Sequence, residues 1–387
     1  MAEAYIVEAL RTAGGRARKG GLVGVHPADL GATVLNALVD RTGIDPAAID
    51  DVIVGCVSKG GQQAFALGRN IVLASKLPAS VRAVTIDRQC GSSQQAVHFA
   101  AQAVMSGTQD IVIAAGAESM TRVPMGSDFQ LHAAAGLGIG PWPASIQNRF
   151  GVAEFSQFHG AQAIADKYGF TREDLDRFAL ESHAKAAAAI DSGAFKSEIV
   201  PVVTPEGLFE IDDGVRRGGT LETMATVKPL EEGGTITAAN ASQMTDGASG
   251  ALIVSEQALK RFNLTPKARI VNLTVTAGDP VIMLEEPIPA TRKALAKAGL
   301  KLDDIDLFEV NEAFASIPMA WQKAMGADRA KLNVNGGAIA LGHPLGASGT
   351  KLMATLLHAL EARGGRYGLQ TMCEGGGVAN VTIIEKL

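Results

Sequence analysis

The chain is predicted to fold as a layered α/β protein made of two similar halves that share buried helices. Short β-prone apolar runs alternate with helical segments at both ends of the 387-residue sequence, and the middle breaks this alternation. One helical segment in each half carries almost no charge. A helix that is apolar on all sides is buried on several sides, and helices held between two sheets satisfy this requirement.

The first part of the chain alternates strands with helices in a βαβ pattern that includes parallel pairing. Between Gly91 and Gln109 there is no charged residue, so the helix that starts there is expected to be buried. In chain order the predicted strands are 4–7, 51–57, 81–86 and 110–115, and the predicted helices are 27–39, 68–75 and 91–105.

The alternation breaks between about residues 119 and 244, where loops and Gly-Pro stretches dominate. One amphipathic helix is predicted over about 175–190, with Thr171 as its N-cap. Two short polar–apolar stretches follow, at 198–203 and 209–215. The segment 119–244 is therefore predicted to be an inserted loop domain over the mouth of a site.

The alternation resumes near residue 250 and repeats the pattern of the first part. The predicted strands are 251–255, 270–277, 307–310, 332–334, 367–372 and 378–385, and the predicted helices are 290–298, 314–325 and 346–362. The predicted domains are an N-terminal half of residues 1–118 completed by about 245–266, the inserted loop domain 119–244, and a C-terminal half of residues 267–387.

Composition excludes several classes of function. The net charge is −5 at pH 7, which argues against a nucleic-acid surface. No run of about 18 apolar residues occurs, so no membrane span is expected. The three cysteines lack disulfide or metal-ligand spacing, which favours a reducing compartment and no bound metal. Because the N-terminus lacks a secretory pattern, the cytoplasm is the predicted location.

Cys90 is the most informative residue of the sequence. It follows a predicted strand and lies at the start of the uncharged helix, where the helix dipole and unpaired N–H groups are expected to favour its thiolate. An ordinary cysteine has a pKa of about 8.5, so a nucleophile at neutral pH needs such help. Cys56, in contrast, is predicted to be a small buried hydrophobic residue.

Four polar motifs stand in glycine-rich surroundings, each at the end of a predicted strand or the start of a predicted helix. Active sites of α/β proteins collect at such positions. The motifs are Cys90-Gly91-Ser92-Ser93, Asn311-Glu312-Ala313-Phe314-Ala315, Gly342-His343-Pro344-Leu345-Gly346 and Cys373-Glu374-Gly375-Gly376-Gly377.

Taken together, these motifs resemble the thiolase family. The resemblance covers the whole chain and includes Arg11-Thr12, Asn240-Ala241-Ser242 and Thr245-Asp246-Gly247-Ala248. It is strongest to degradative 3-ketoacyl-CoA thiolases, including the actinobacterial kind linked to lipid and steroid breakdown. The family implies the thiolase-like αβαβα layering. It also implies a ping-pong acyl transfer, reversible as a Claisen condensation, that passes through a cysteine thioester.

The resemblance and the chemistry of the side chains together suggest catalytic roles. Cys90 would attack the 3-keto carbon, His343 would take the thiol proton, and Cys373 would protonate the departing acetyl-CoA enolate. The N–H groups of Cys90 and Gly375 are candidate donors to the tetrahedral oxyanion. His343, with a water held by Asn311, would stabilise the enolate.

Binding of coenzyme A is assigned by resemblance. CoA and 3-ketoacyl-CoA are expected as substrates, with no permanently bound cofactor. Ser242 should meet the pantetheine arm, Arg216 should lie near the nucleotide phosphates, and Phe314 should line the acyl or pantetheine tunnel. A turn residue at Ser242, a solvated charge at Arg216 and a helix cap at Asn311 are the simpler interpretations. The family also implies a homodimer or homotetramer.

The chain departs from the family pattern in two places. Many thiolases have His-Met-Gly at the start of a helix in the insertion, where this chain has Ser156-Gln157-Phe158. Many also close the last motif with glycine, where this chain has Ala379. Both departures are expected to affect the choice of substrate more than the reaction.

Four alternative functions compete with degradative thiolysis. A biosynthetic thiolase would be limited to acetoacetyl-CoA. A decarboxylating ketoacyl synthase shares the fold family but has His or Asn where this chain has Cys373. A non-catalytic acyl or sterol carrier would lack one of the polar residues, all of which are present here. A cysteine hydrolase would release CoA from acetoacetyl-CoA without added CoA.

Overall fold

The structure is a computed structural model that describes residues 2–387. Within this range the strands are β1 (Ala4–Thr12), β2 (Gly15–Arg16), β3 (Asp51–Gly55), β4 (Arg82–Ile86), β5 (Ile111–Ser119), β6 (Ile199–Val200), β7 (Val202–Thr204), β8 (Gly207–Phe209), β9 (Thr245–Ser255), β10 (Ala268–Ala277), β11 (Leu307–Val310), β12 (Tyr367–Glu374) and β13 (Val378–Lys386). The helices are α1 (Pro27–Thr42), α2 (Leu67–Ala74), α3 (Ser92–Met105), α4 (Ser127–Ala134), α5 (Ala144–Phe150), α6 (Gln157–Tyr168), α7 (Arg172–Ser192), α8 (Leu221–Ala225), α9 (Glu256–Phe262), α10 (Pro287–Ala298), α11 (Ser316–Met325), α12 (Ala338–Leu341) and α13 (Ser348–Arg363).

The strands form two halves with matching order and direction. The first half runs β1-β9-β5-β3-β4, with two antiparallel pairs followed by two parallel pairs. The second half runs β10-β13-β12-β11, with two antiparallel pairs followed by a parallel pair. The halves join edge to edge where β1 pairs with β10 through two residue pairs. The repeat predicted from the sequence is therefore present in the topology.

The fifth strand of the second half is reduced to a single bridge. The sequence predicts a strand over 332–334, but only Leu332 forms a parallel bridge to Phe308 of β11. Asn333 has a φ of 44°, which interrupts an extended run. Its side chain instead accepts from the N–H and donates to the carbonyl of Val310, both at 2.9 Å. The amide thus replaces a pair of strand hydrogen bonds.

Helices occupy three layers around the two halves. Helix α1 packs on β1, β5 and β9, and α10 packs on β10 and β13. Helices α3 and α13 contact each other and strands of both halves, so they form the central layer. Every residue from Ser348 to Leu360 of α13 is buried, as the near absence of charge predicts; Lys351 is the one charged residue among them.

Glycine allows the central layer to pack closely. A Cβ atom at Gly349 of α13 would lie 2.0 Å from the backbone nitrogen of Gln94 in α3. A Cβ at Gly116 of β5 would lie 2.4 Å from the carbonyl oxygen of Gly346. Because both neighbours are backbone atoms, larger residues at these two positions would push the layers apart.

Most predicted elements occur with shifted ends. The predicted helix 91–105 begins at Ser92, so Cys90 lies in the turn before it. The predicted cap at Thr171 is confirmed, because its side chain accepts from the N–H of Asp174. In the stretch 209–215 only Phe209 belongs to a strand; the carboxyl groups of Asp212 and Asp213 accept instead from the Arg11 side chain and from the N–H of Arg16.

The segment between β5 and β9 carries α4 to α8 and three short strands. Helices α6 and α7 bury an apolar cluster, which includes Ile164 and Phe178, against α11. Phe314 and Cys373 belong to the same cluster, so the segment lies against the strand ends of the second half. No helix within residues 2–387 combines the length and the apolar character that crossing a membrane requires.

Candidate active site

Cys90 lies in a tight turn between β4 and α3. Gln89 has a φ of 48°, in the left-handed region, and Gly91 is the N-cap of α3. The hydroxyl of Ser92 accepts from the N–H of Arg88 at 2.9 Å and donates to the carbonyl of Gln89 at 2.6 Å. These bonds close the turn and fix the position of the Cys90 side chain.

The expected thiolate at Cys90 is not favoured by its surroundings. Burial, and after it the carboxyl group of Glu374, raise the pKa of the Cys90 thiol to about 12. The dipole of α3 does not overcome these effects, because Cys90 precedes the N-cap instead of lying in the first turn. Cys90 therefore rests as a thiol and needs a base when it attacks.

His343 is a buried neutral imidazole that can act as this base. Its Nδ1 lies 2.5 Å from the hydroxyl of Ser348, which donates its own proton to the carbonyl of Pro344 at 2.9 Å. The hydroxyl oxygen therefore accepts from Nδ1–H, and Nε2 keeps its lone pair. Burial lowers the pKa of His343 to about 3, so the ring is unprotonated at neutral pH.

Asn311 faces the site, whereas its neighbour Glu312 anchors the loop that carries both residues. The Nδ2 atom of Asn311 lies 3.4 Å from Nε2 of His343, and its buried Oδ1 has no partner in residues 2–387. The carboxyl of Glu312 accepts from Ser182 of α7 at 2.6 Å and from Asn333 at 2.9 Å. Glu312 thus ties the insertion to the loop that follows β11.

Cys373 and Gly375 close the site from the other half. Cys373 is buried near the end of β12. Burial raises its pKa well above the ordinary value, and the neighbouring Cys90 is the second cause. A Cβ on Gly375 would lie 3.0 Å from Oε1 of Gln89, which shows that the glycine turn abuts the Cys90 turn.

The two predicted oxyanion donors are available to a ligand. Among the turn and loop hydrogen bonds of residues 2–387, none uses the N–H of Cys90 or the N–H of Gly375. Both N–H groups belong to the abutting turns. This arrangement suits the developing negative charge of a tetrahedral intermediate.

Two cavities that share a wall lead into the site. The first has a volume of about 610 Å³ and is lined by Cys90, Gly375 and four aromatic side chains, Phe129, Trp142, Phe155 and Phe158. The second has a volume of about 440 Å³ and is lined by His343, Ser242, Arg216 and Phe314. Met125, Gln157, Phe158 and Leu345 line both cavities, and six of the eight residues predicted for the site line one cavity or the other. Asn311 and Cys373 line neither cavity, but Asn311 lies 3.4 Å from Nε2 of His343 and Cys373 lies two residues before Gly375. The chemical roles of all eight residues stay predictions.

The second cavity carries two cations that the sequence analysis missed. Arg16 and Lys19 line it together with Arg216, and all three residues are exposed. The backbone N–H of Arg216 donates to Nδ1 of His183 at 3.1 Å, which holds its loop in place. The cluster of basic residues over 16–19 in an acidic chain is a signal that could have revealed them.

The two departures from the family pattern lie in different surroundings. Phe158 lines both cavities and meets Phe314 edge-on, with ring centroids 5.8 Å apart. Ser156 caps α6 by accepting from the N–H of His159. Ala379 is fully buried opposite Cys373 and lines neither of these two cavities, so an effect on substrate choice would act through Cys373.

Known proteins share both the sequence and the fold. Family profiles described as the thiolase N-terminal and C-terminal domains match residues 4–257 and 264–386. The chain is 54% identical over its full length to the steroid 3-ketoacyl-CoA thiolase FadA6 of Mycobacterium tuberculosis, of which it covers 95%. It is 40% identical to the 3-ketoacyl-CoA thiolase of Bacillus subtilis, with full coverage of both proteins. The crystal structure of the Bacillus anthracis acetyl-CoA acetyltransferase matches with a TM-score of 0.91 at 36% identity, covering 100% of this chain and 99% of that chain. The chain therefore belongs to the thiolase family.

Proposed function

We propose that the protein is an acyltransferase that cleaves 3-ketoacyl-CoA with CoA, giving acetyl-CoA and a shortened acyl-CoA. Membership of the thiolase family and the names of its relatives support this reaction. The observation that carries the proposal is the convergence of the half-buried Cys90, the buried Cys373 and His343. The Gly375 turn that follows Cys373 abuts the Cys90 turn, and the cavities lined by Cys90 and by His343 share a wall. Thiolysis needs a nucleophile, a base and a separate acid, and these three groups supply them.

In the first half-reaction, Cys90 attacks the 3-keto carbon while Nε2 of His343 takes the thiol proton. The N–H groups of Cys90 and Gly375 stabilise the resulting oxyanion. When the intermediate collapses, the carbon–carbon bond breaks and the electron pair passes to the acetyl-CoA enolate. The thiol of Cys373 protonates the enolate carbon, and the acyl group remains on Cys90 as a thioester.

In the second half-reaction, CoA removes the acyl group. The Cys373 thiolate takes the proton of the CoA thiol, and the CoA sulfur attacks the thioester carbonyl. Cys90 leaves and recovers its proton from His343. Each residue returns to its starting state, so the cycle needs no bound cofactor or metal, and it runs in reverse as a condensation.

The second cavity suits the CoA arm. Arg16, Lys19 and Arg216 are exposed cations that can bind the phosphates of CoA. Ser242 and Phe314 also line this cavity and would contact the pantetheine. In this arrangement the CoA thiol points toward His343 and the acyl group enters the first cavity.

The first cavity favours a long or ring-bearing acyl group over acetoacetyl-CoA. Its volume of about 610 Å³ is larger than an acetyl fragment can fill, and its aromatic lining offers apolar contact to a larger acyl group. We expect thiolysis kcat/KM across a 3-ketoacyl-CoA series to rise by about tenfold or more from acetoacetyl-CoA to long or ring-bearing substrates, as extra apolar contact implies. The measurement is the steady-state rate of acetyl-CoA formation. A profile confined to acetoacetyl-CoA would assign the protein to the biosynthetic class.

The same assay separates the remaining alternatives. With CoA omitted, we expect at most one equivalent of acetyl-CoA per active site, because the acyl group stays on Cys90. Continued turnover without CoA would indicate a hydrolase. Binding of acyl-CoA without any acetyl-CoA release would indicate a carrier.

We also propose that two copies of the chain pair along β4. This strand is the edge of the first half, and Val84 on it is 44% exposed. Phe65 and Leu73 beside it, and Phe99 of α3, are exposed apolar side chains. An open apolar edge strand is a template for pairing with a second chain. We further propose three domains: an N-terminal half of residues 1–118 completed by about 245–266, the inserted loop domain 119–244 and a C-terminal half of residues 267–387. We also propose a cytoplasmic location, because three free thiols favour a reducing compartment.

Val84→Arg is expected to weaken this pairing, because it places a charge in the centre of the apolar edge. Size-exclusion chromatography with light scattering should show a mass of at least twice 40.0 kDa for the native chain and more of the 40.0 kDa species for the variant. Leu208→Arg, on the exposed β7–β8 hairpin, is the matched control and should leave the mass unchanged. A native chain that runs as a monomer would contradict the proposal.

A further inference from the structure

Lys351 of α13 is a buried basic residue that the proposed reaction does not use. Its Nζ donates to the carbonyl oxygens of Leu341 and Gly342, at 2.5 Å and 2.7 Å. These two residues come directly before His343, so Lys351 holds the backbone that carries the base of the site. An ammonium group has three protons, and the third proton of Lys351 has no acceptor among residues 2–387.

Two further polar side chains near α13 have a buried atom without a partner. Glu309 lies on the same face of β11 as Leu307, which belongs to one apolar cluster with Leu356 of α13. The carboxyl of Glu309 therefore points toward α13, and its buried Oε2 has no hydrogen-bond partner within residues 2–387. The same holds for Oδ1 of Asn311. Such atoms are costly to bury, so both need a ligand.

Lys351, Glu309 and Asn311 line one small internal cavity bounded by β11, α12 and α13. Every residue that lines it is buried. The space open to the centre of a water molecule is about 10 Å³, which holds one water and no organic ligand.

The Asn311 amide has a fixed direction relative to this cavity. Its Nδ2 is turned toward Nε2 of His343, 3.4 Å away, because the lone pair of Nε2 needs a donor and not a second oxygen. His343 does not line the cavity, so Oδ1 is the amide atom on the cavity side.

We propose that this cavity binds one water molecule that Lys351, Glu309 and Asn311 hold together. The water accepts from the free ammonium proton and donates to the Glu309 carboxyl and to Oδ1 of Asn311, so all three groups are satisfied. Burial lowers the pKa of Lys351 to about 7 and raises the pKa of Glu309 well above its usual value. The water fits whichever of the two groups carries the proton, because it can both donate and accept.

Through this water, Lys351 and Glu309 act as positioning residues for the active site. The water holds the Asn311 amide at Oδ1 and thereby keeps Nδ2 turned toward His343. It is separate from the water that Asn311 is expected to present to the enolate, because it lies at the closed end of the amide. Its relevance to catalysis rests on the proposed roles of Asn311 and His343.

A high-resolution crystal structure of the native protein tests the water directly. We expect one density peak in the cavity, within about 3.2 Å of Nζ of Lys351, Oδ1 of Asn311 and a carboxyl oxygen of Glu309. An empty cavity, or oxygen distances of about 2.4 Å that indicate a metal cation, would overturn the proposal. If the native protein showed no thiolysis, the proposed function would fail while the peak would still report the water.

Glu309→Gln and Glu309→Leu test the positioning role. Glutamine keeps the length of the side chain and can still bond to the water, so its thiolysis kcat should stay within about threefold of the native value. Leucine cannot bond to the water, and its kcat should fall by about tenfold or more while the KM for CoA changes by no more than about threefold. An equal loss in both variants, or no loss in either, would contradict the positioning role.

Lys351→Met removes the donors of Lys351 and keeps a long apolar side chain. Its kcat should fall by about tenfold or more, and its crystal structure should lack the water peak. Lys185→Met is the matched control, because Lys185 also donates to a backbone carbonyl, that of Leu332 at 3.1 Å, but does not line the cavity. We expect its kcat to stay within about threefold of the native value. A folded Lys351→Met variant with the native kcat would contradict the proposal, and the Glu309 pair decides the matter if Lys351→Met does not fold.

Discussion

Replacing Cys90 with alanine should lower kcat/KM for thiolysis by at least about 10⁴-fold, because loss of a covalent nucleophile removes the whole acyl-enzyme route. No second thiol can take its place. Cys373 is buried and lines neither cavity, and Cys56 is fully buried with its Sγ 3.9 Å from Oε1 of Glu118. The measurement is the steady-state rate with the best substrate of the acyl series.

Cys56→Ala is the control for this variant. Cys56 lines neither cavity, so we expect the kcat of this variant to stay within about threefold of the native value. The small void left by the missing sulfur should lower the free energy of unfolding by about 1 kcal/mol. A Cys90→Ala variant that kept more than about one per cent of the native rate would show that the acyl group travels by another route.

Cys373→Ser should still accept an acyl group on Cys90 but should turn over about 10²-fold or more slowly, since a hydroxyl is a far weaker acid–base group than a thiol. The acylation step from an acyl-CoA depends chiefly on Cys90 and His343, whereas protonation of the enolate needs position 373. The measurement compares the single-turnover rate of Cys90 acylation with the steady-state rate of thiolysis.

His343→Gln is the contrasting control for Cys373→Ser. Glutamine keeps a polar group near Ser348 but cannot accept the thiol proton, so acylation and turnover should fall together. If Cys373→Ser kept a turnover rate near that of the native enzyme, the acid–base role of Cys373 would be wrong and another group would have to protonate the enolate.

Much of the fold could be predicted because each half repeats a strand–helix alternation that its own residues specify. The lack of charge over 91–109 predicts a helix buried on several sides, and α3 lies in the central layer. The glycine motifs around Gly91 and Gly375 mark turns, and the structure places those turns against each other. In these places the local pattern and the tertiary packing agree.

Other features depend on contacts that no local pattern contains. The failure of the strand over 332–334 follows from the Asn333 side chain, which bonds to Val310 in another strand. The sequence predicts an easily ionised Cys90, yet the burial of the thiol, and after it Glu374 from the opposite half, raise its pKa instead. The place of Arg16 at the second cavity emerges only because its loop meets Arg216 there. Such effects are set by distance in space and not by distance along the chain.

The central claim is that the sulfur of Cys90 carries the acyl group. The most direct measurement is peptide mass spectrometry of enzyme mixed with a 3-ketoacyl-CoA in the absence of CoA and quenched in acid. The account predicts one acyl group, shorter than the substrate chain by the released acetyl unit, on the peptide that contains Cys90. An adduct on any other residue, or acetyl-CoA release with no adduct, would contradict it.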